Sequence, residues 1–150
     1  MKIKKGFTLI ELLVVIGILA ILLAITLIAI NPARQFGQAN NTRRRSDTLQ
    51  LLNTIHQYVA ENKGVLPSEI VGLTVNTPTL VEKTGGIDLC AKIMPLYIPA
   101  LPTEPSLNTP SITDCTLEYN TGYRVSRDAQ NRITVDSPVT DNGEVISVTR

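Results

Sequence analysis

A chain of 150 residues has room for one globular domain and little more, and its 43% hydrophobic content is unevenly placed: residues 7–30 are nearly all apolar, while the rest reads as an ordinary, rather polar globular sequence. Net charge is +1, with 11 Lys/Arg against 12 Asp/Glu from Ala33 onward, so the globular part offers polyanions no global attraction and opposes no association with like copies. One histidine, no Gly-x-Ser-x-Gly, no phosphate-cradling glycine loop and no metal-spaced Cys/His set argue against an enzyme and imply no cofactor.

Lys2, Lys4 and Lys5 precede Phe7–Ile30, a 24-residue run holding a single charge. As a helix it would be about 36 Å long, enough to cross the ~30 Å hydrocarbon core. Lysines at one end only place the N-terminus in the cytoplasm and the rest of the chain outside. An ordinary secretory signal fits poorly: the run is too long, and Ile28-Ala29-Ile30-Asn31-Pro32 offers no small-residue cleavage site after it. The small residue, Gly6, stands before the run instead. A plain signal anchor is the other reading these facts leave open.

Glu11 separates the readings. A carboxylate inside a spanning helix costs roughly 2.5–3.5 kcal/mol on insertion scales and needs a partner. No Lys, Arg or His lies elsewhere in the run. Cleavage after Gly6 would supply a cation, the free α-amino group of Phe7. The stretch Lys4-Lys5-Gly6-Phe7-Thr8-Leu9-Ile10-Glu11-Leu12, with the apolar run behind it, resembles the prepilin motif of type IV pilins and of the pseudopilins of type II secretion. The resemblance implies a prepilin peptidase that cuts between Gly6 and Phe7 and N-methylates Phe7. It also implies that Glu11 neutralises the N-terminal ammonium of a neighbouring subunit during assembly. Many pilins of this family carry a proline well inside the apolar segment. Here the first is Pro32, which leaves open where the helix melts or kinks. Gly17 reads equally as a point of close helix approach or as a tolerated glycine.

Asn31-Pro32 suits the start of a renewed helix, weak over 33–42 because of Gly37 and Asn40-Asn41. From Thr42 to Lys63 the pattern is amphipathic. Leu49, Leu51, Leu52, Ile55, Tyr58 and Val59 share one half, while Gln50, Asn53, Thr54, Gln57 and Glu61 share the other. Gly64 is the expected stop. Arg43-Arg44-Arg45 has two readings: contact with phosphate, from lipid headgroups or DNA, or a solvated or intersubunit face pairing with acids such as Asp47. The run is short and no aromatics interleave it, so the second is preferred. His56 sits at the edge of the apolar arc, as a packing residue.

Seven of the nine prolines fall in 64–114, which predicts loop with short helical or strand pieces. Within it, Tyr97-Ile98-Pro99-Ala100-Leu101-Pro102-Thr103-Glu104-Pro105 resembles a stretch seen in many bacterial pilins and pseudopilins. Cys90 and Cys115 lie in the part expected outside, and an oxidising compartment would pair them, stabilising the fold by about 3–4 kcal/mol. Two free core thiols are the alternative.

From Cys115 the period becomes that of strands: Thr116–Asn120, Gly122–Arg127, Arg132–Asp136 and Glu144–Thr149, with turns at 128–131 and 141–143. Asp128, Asn131, Asp136 and Asp141 are rich in oxygen but lack the spacing of a calcium loop, so no metal is expected. The predicted fold is α+β, a long N-terminal helix packed on a small antiparallel sheet. Its segments are leader 1–6, membrane or filament-core helix 7–30, stem 31–63 and head 64–150, the head divided into loop 64–114 and strands 115–150. The expected protein is a structural subunit of a type IV pilus or related filament. It would be held first in the cytoplasmic membrane and then in an extracellular or periplasmic filament. Its partners would be copies of itself, the prepilin peptidase, an assembly or secretion platform and the membrane, with nucleic acid disfavoured. A minor pilin or pseudopilin that binds DNA, a surface or a secreted protein is the alternative.

Overall fold

The computed structural model describes residues 6–150, so Lys2, Lys4 and Lys5 of the expected leader lie outside the described residues. Two units emerge, one ending at Phe36 and the other running from Gly37 to Arg150. The first is dominated by helix α1, Leu9–Ile30, which is apolar on every side and has no buried residue. Its best window has a mean hydropathy of 3.3, and it is the only helix among the described residues long and apolar enough to cross a membrane. Asn31 leaves the helix in the left-handed region, at φ 46°. Helix α2, Pro32–Glu61, then begins with proline at its first position, where the missing N–H is not needed. The Asn31 side chain accepts from the Arg34 amide at 3.4 Å, as the sequence reading of a renewed helix expects.

In the second unit the buried positions of α2 run Gly37, Asn41, Arg44, Asp47, Thr48, Leu51, Leu52, Thr54 and Ile55. The series 37, 41, 44, 48, 51 and 55, in steps of three and four, traces one stripe that the others widen, polar at its start and mostly apolar at its end. Residues 33–42 are fully helical, against the weakness expected of them. Gly37 and Asn41 are there for contact: a Cβ on Gly37 would sit 2.9 Å from the Asp141 Cβ, so only glycine lets that turn approach. The apolar arc is also narrower than expected. Leu49 is exposed, while Thr54 is buried because its hydroxyl donates to the Gln50 carbonyl at 2.8 Å. The helix ends at Glu61, and Gly64, at φ +85°, donates its amide to the Val59 carbonyl.

The sheet is antiparallel throughout, in the order β1 (Thr79–Glu82), β2 (Asn120–Arg127), β3 (Ile133–Asp136), β4 (Ser147–Thr149). Val81, Tyr123, Val125, Ile133 and Val135 turn inward, alternating with outward polar neighbours, and join Leu51, Leu52 and Ile55 in one core. Residues 116–119, expected as a strand, instead form a turn in which the Asp114 carboxylate takes the Thr116 amide at 2.8 Å. The fourth strand comes from 79–82 inside the proline-rich stretch, immediately after Pro78, which needs no ladder donor there. That stretch adds two short helices, α3 (Ser68–Val71) and α4 (Cys90–Ile93), and a 3-10 turn at Pro105–Leu107. Cys90 and Cys115 are joined by a disulfide, which ties α4 to the turn before β2.

Candidate assembly site

Gly6 and Phe7 lie just before α1, with the Phe7 side chain 86% exposed. Thr8 is the helix N-cap and Glu11 is the third helical residue. Their side chains close a reciprocal box: the Thr8 hydroxyl accepts from the Glu11 amide at 3.2 Å, and the Glu11 carboxylate accepts from the Thr8 amide at 2.8 Å. The Thr8 hydroxyl also donates to that carboxylate at 2.8 Å. The motif Thr-x-x-Glu ahead of an apolar run announces this arrangement in sequence. The box fixes where the carboxylate sits but supplies no positive charge, and among the described residues no ion pair meets Glu11, so an apolar environment still demands a cation.

Residues 1–27 match the family model described as the prokaryotic N-terminal methylation motif. The chain carries a prepilin-type signal. The motif covers the leader, Gly6, Phe7, Glu11 and most of α1, and it is the signal of type IV pilins and pseudopilins. No curated protein and no solved structure matches the chain.

Beyond the prepilin motif, the unit Gly37–Arg150, called the head from here on, is organised around Arg44, which is wholly buried. Its guanidinium donates to Glu104 at 2.6 Å, to Asp141 at 2.6 Å, to the Asn41 side chain at 2.9 Å and to the Ser106 hydroxyl at 3.0 Å. Asn41 in turn clamps the Asp141 backbone, donating to its carbonyl at 2.8 Å and accepting from its amide at 3.0 Å. The second proline-rich resemblance thereby acquires a physical reason. Pro105 starts the 3-10 turn, whose Ser106 amide binds the Glu104 carboxylate at 2.9 Å, leaving that buried acid aimed at Arg44. The three consecutive arginines each meet a carboxylate. Arg43 faces Asp47 at 3.8 Å, Arg44 is inside and Arg45 pairs with Glu144. Of the two readings from sequence, pairing with acids holds, but the central arginine is neither solvated nor intersubunit.

Two further acids are shaped by this core. Burial pushes the Asp47 carboxyl up, opposed by the Tyr123 hydroxyl donating at 2.7 Å. The Arg44 guanidinium holds Asp141 below its ordinary range. The oxygen-rich residues Asp128, Asn131 and Asp136 serve the turn and the ladder. Asp128 takes the amides of Gln130 and Arg132 in the β2–β3 turn, where Asn131 adopts φ 62°, and Asp136 pairs with Arg124 across the strands.

Proposed function

We propose that the chain is a subunit of a type IV pilus or related filament, polymerised from a membrane-anchored precursor after a prepilin peptidase removes residues 1–6. The observation that carries this reading is the pairing of a prepilin motif with a 22-residue apolar helix that has no buried residue among the described residues. So large an apolar surface requires lipid before assembly and neighbouring copies of α1 after it. Nothing about this role calls for chemistry by the head, and a non-enzymatic subunit follows. The orientation that fits is N-terminus in the cytoplasm and head outside, where an oxidising compartment maintains the disulfide between Cys90 and Cys115. In the filament, Glu11 would meet the Phe7 ammonium of an adjacent copy, each removing the cost of the other's charge.

The test is the content of sheared surface or periplasmic filaments, with and without the prepilin peptidase. Abundance of the chain in filaments, lost when the peptidase is removed, is the expected result. Trace amounts would make it a minor subunit, and absence from filaments with intact membrane retention would reject polymerisation.

A further inference from the structure

Among the described residues, two buried side-chain nitrogens have no hydrogen-bond partner in the protein: His56 Nε2 and Arg127 Nε. One comes from the middle of α2 and the other from the last residue of β2. Yet both residues line one depression of about 410 Å³, whose walls also include Val59, Leu66, Val71 and Asn131. A ring or guanidinium nitrogen closed off from water without a partner is costly, so two of them at one place call for a shared explanation. Arg127 brings a charge as well as a donor. Its Nη1 donates to the neutral Asn131 Oδ1 at 3.1 Å, and it meets no carboxylate among the described residues.

The acids of the neighbouring elements are turned to other work. Asp128 pairs with Arg132 at 2.6 Å and takes the amides of the β2–β3 turn. Glu69 on α3 reaches Lys92 at 3.5 Å. Glu61 stands five residues beyond His56, about 140° around the helix, and acts on the Tyr97 hydroxyl. Lys63, next to Gly64 in the wall of the depression, adds positive charge.

The group that completes this site is a pair of acceptors carrying one negative charge. A carboxylate offers two oxygens, one for the Arg127 Nε–H and one for His56 in the tautomer that holds its proton on Nε2. Phosphate or sulfate would press further oxygens against Val59, Leu66 and Val71, which donate nothing. Those three side chains suit a short apolar chain behind the carboxylate instead. We propose that the depression binds a small monocarboxylate with a short apolar tail, its head held between Arg127 and His56. Entry shifts the Arg127 side chain, and a bond to a neutral oxygen is a weak hold against that. The site lies wholly within the head and does not depend on the filament reading.

The experiment titrates the full-length, nitrogen-labelled chain in a non-ionic detergent with butyrate, butyramide and phosphate, following the Arg127 Nε–H and the His56 ring nitrogens by NMR. Butyrate is expected to shift both together and to saturate with a Kd of about 1 mM, an affinity within reach of so small a ligand in a matched site. Butyramide, which keeps the shape and loses the charge, and phosphate should each bind at least about tenfold more weakly. Arg127→Gln and His56→Phe should each weaken butyrate about tenfold, read at the nitrogen that remains. His56→Gln keeps a donor nitrogen and should stay within about threefold of the native chain. No saturable shift with butyrate, equal or tighter binding of butyramide or phosphate, or undiminished binding to Arg127→Gln overturns the assignment.

Discussion

Glu11 and Arg44 solve the same problem at two places in the chain. Each is a charge in apolar or closed surroundings, and each needs partners. Arg44 finds all of its partners within the head, whereas Thr8 gives Glu11 hydrogen bonds but no charge. Glu11→Ala should therefore leave the precursor inserted and cleaved but reduce filament yield severely, since an unpaired ammonium in a filament core costs roughly 3–5 kcal/mol. Glu11→Gln should fail as well, because it keeps the shape and the Thr8 contacts and loses the charge. Wild-type filament yield from either variant at normal membrane levels would reject the pairing. Arg44→Met should destabilise the head by about 3–5 kcal/mol, because Glu104 stays buried with its charge unmatched. Urea unfolding of the full chain in detergent, followed by tyrosine fluorescence, measures it, and Glu104→Gln added to Arg44→Met should recover part of the loss. The pH dependence has a defined sign at Asp141. Its folded pKa is depressed by Arg44, so its contribution is present above the ordinary aspartate range and is lost as pH falls through the lower folded value. Asp141→Asn should weaken the head at neutral pH and flatten the acid limb of its stability curve. Unchanged acid sensitivity in that variant would mean that Asp141 does not carry this dependence.

At the scale of elements, α2 divides its buried stripe into a polar half, Gly37 to Thr48, and an apolar half, Leu51 to Ile55. The apolar half should behave as ordinary core: Leu52→Ala is expected to cost about 2–5 kcal/mol in the same unfolding assay. The polar half depends on close approach, so Gly37→Val should displace the turn at Asp141 and loosen the Arg44 cluster; stability equal to wild type would contradict that. This division explains what could and could not be read from the sequence. Tyr123 with Val125 and Ile133 with Val135 alternate cleanly, and β2 and β3 stand where that alternation places them. Thr79–Glu82 hides between Pro78 and Gly85-Gly86 because four residues are too few to show a period. The residues from Thr116 to Glu118 mimic a strand in composition, but Asp114 diverts them into a turn. Nothing local reveals that Asn41 and Arg44 point inward, because their partners lie 60 to 100 residues away. The capping box of Thr8 and Glu11, by contrast, is wholly local and legible.

For the molecule as a whole, the two units present different kinds of surface. Helix α1 exposes apolar residues on every side, while the head encloses its own core and nearly balances its charge. A head with so little net charge offers no long-range repulsion between copies, which suits close lateral packing and also makes association sensitive to a few unpaired side chains. On the proposed reading, a switch from lipid to polymer is needed, and cleavage at Gly6 would provide one by creating a cation for Glu11. The intact mass of the chain recovered from sheared filaments therefore tests the central claim most directly. The account expects a polypeptide that begins at Phe7, carries one N-methyl group and retains the bond between Cys90 and Cys115. A filament-derived chain that keeps Met1, or one that begins after residue 30, would contradict it.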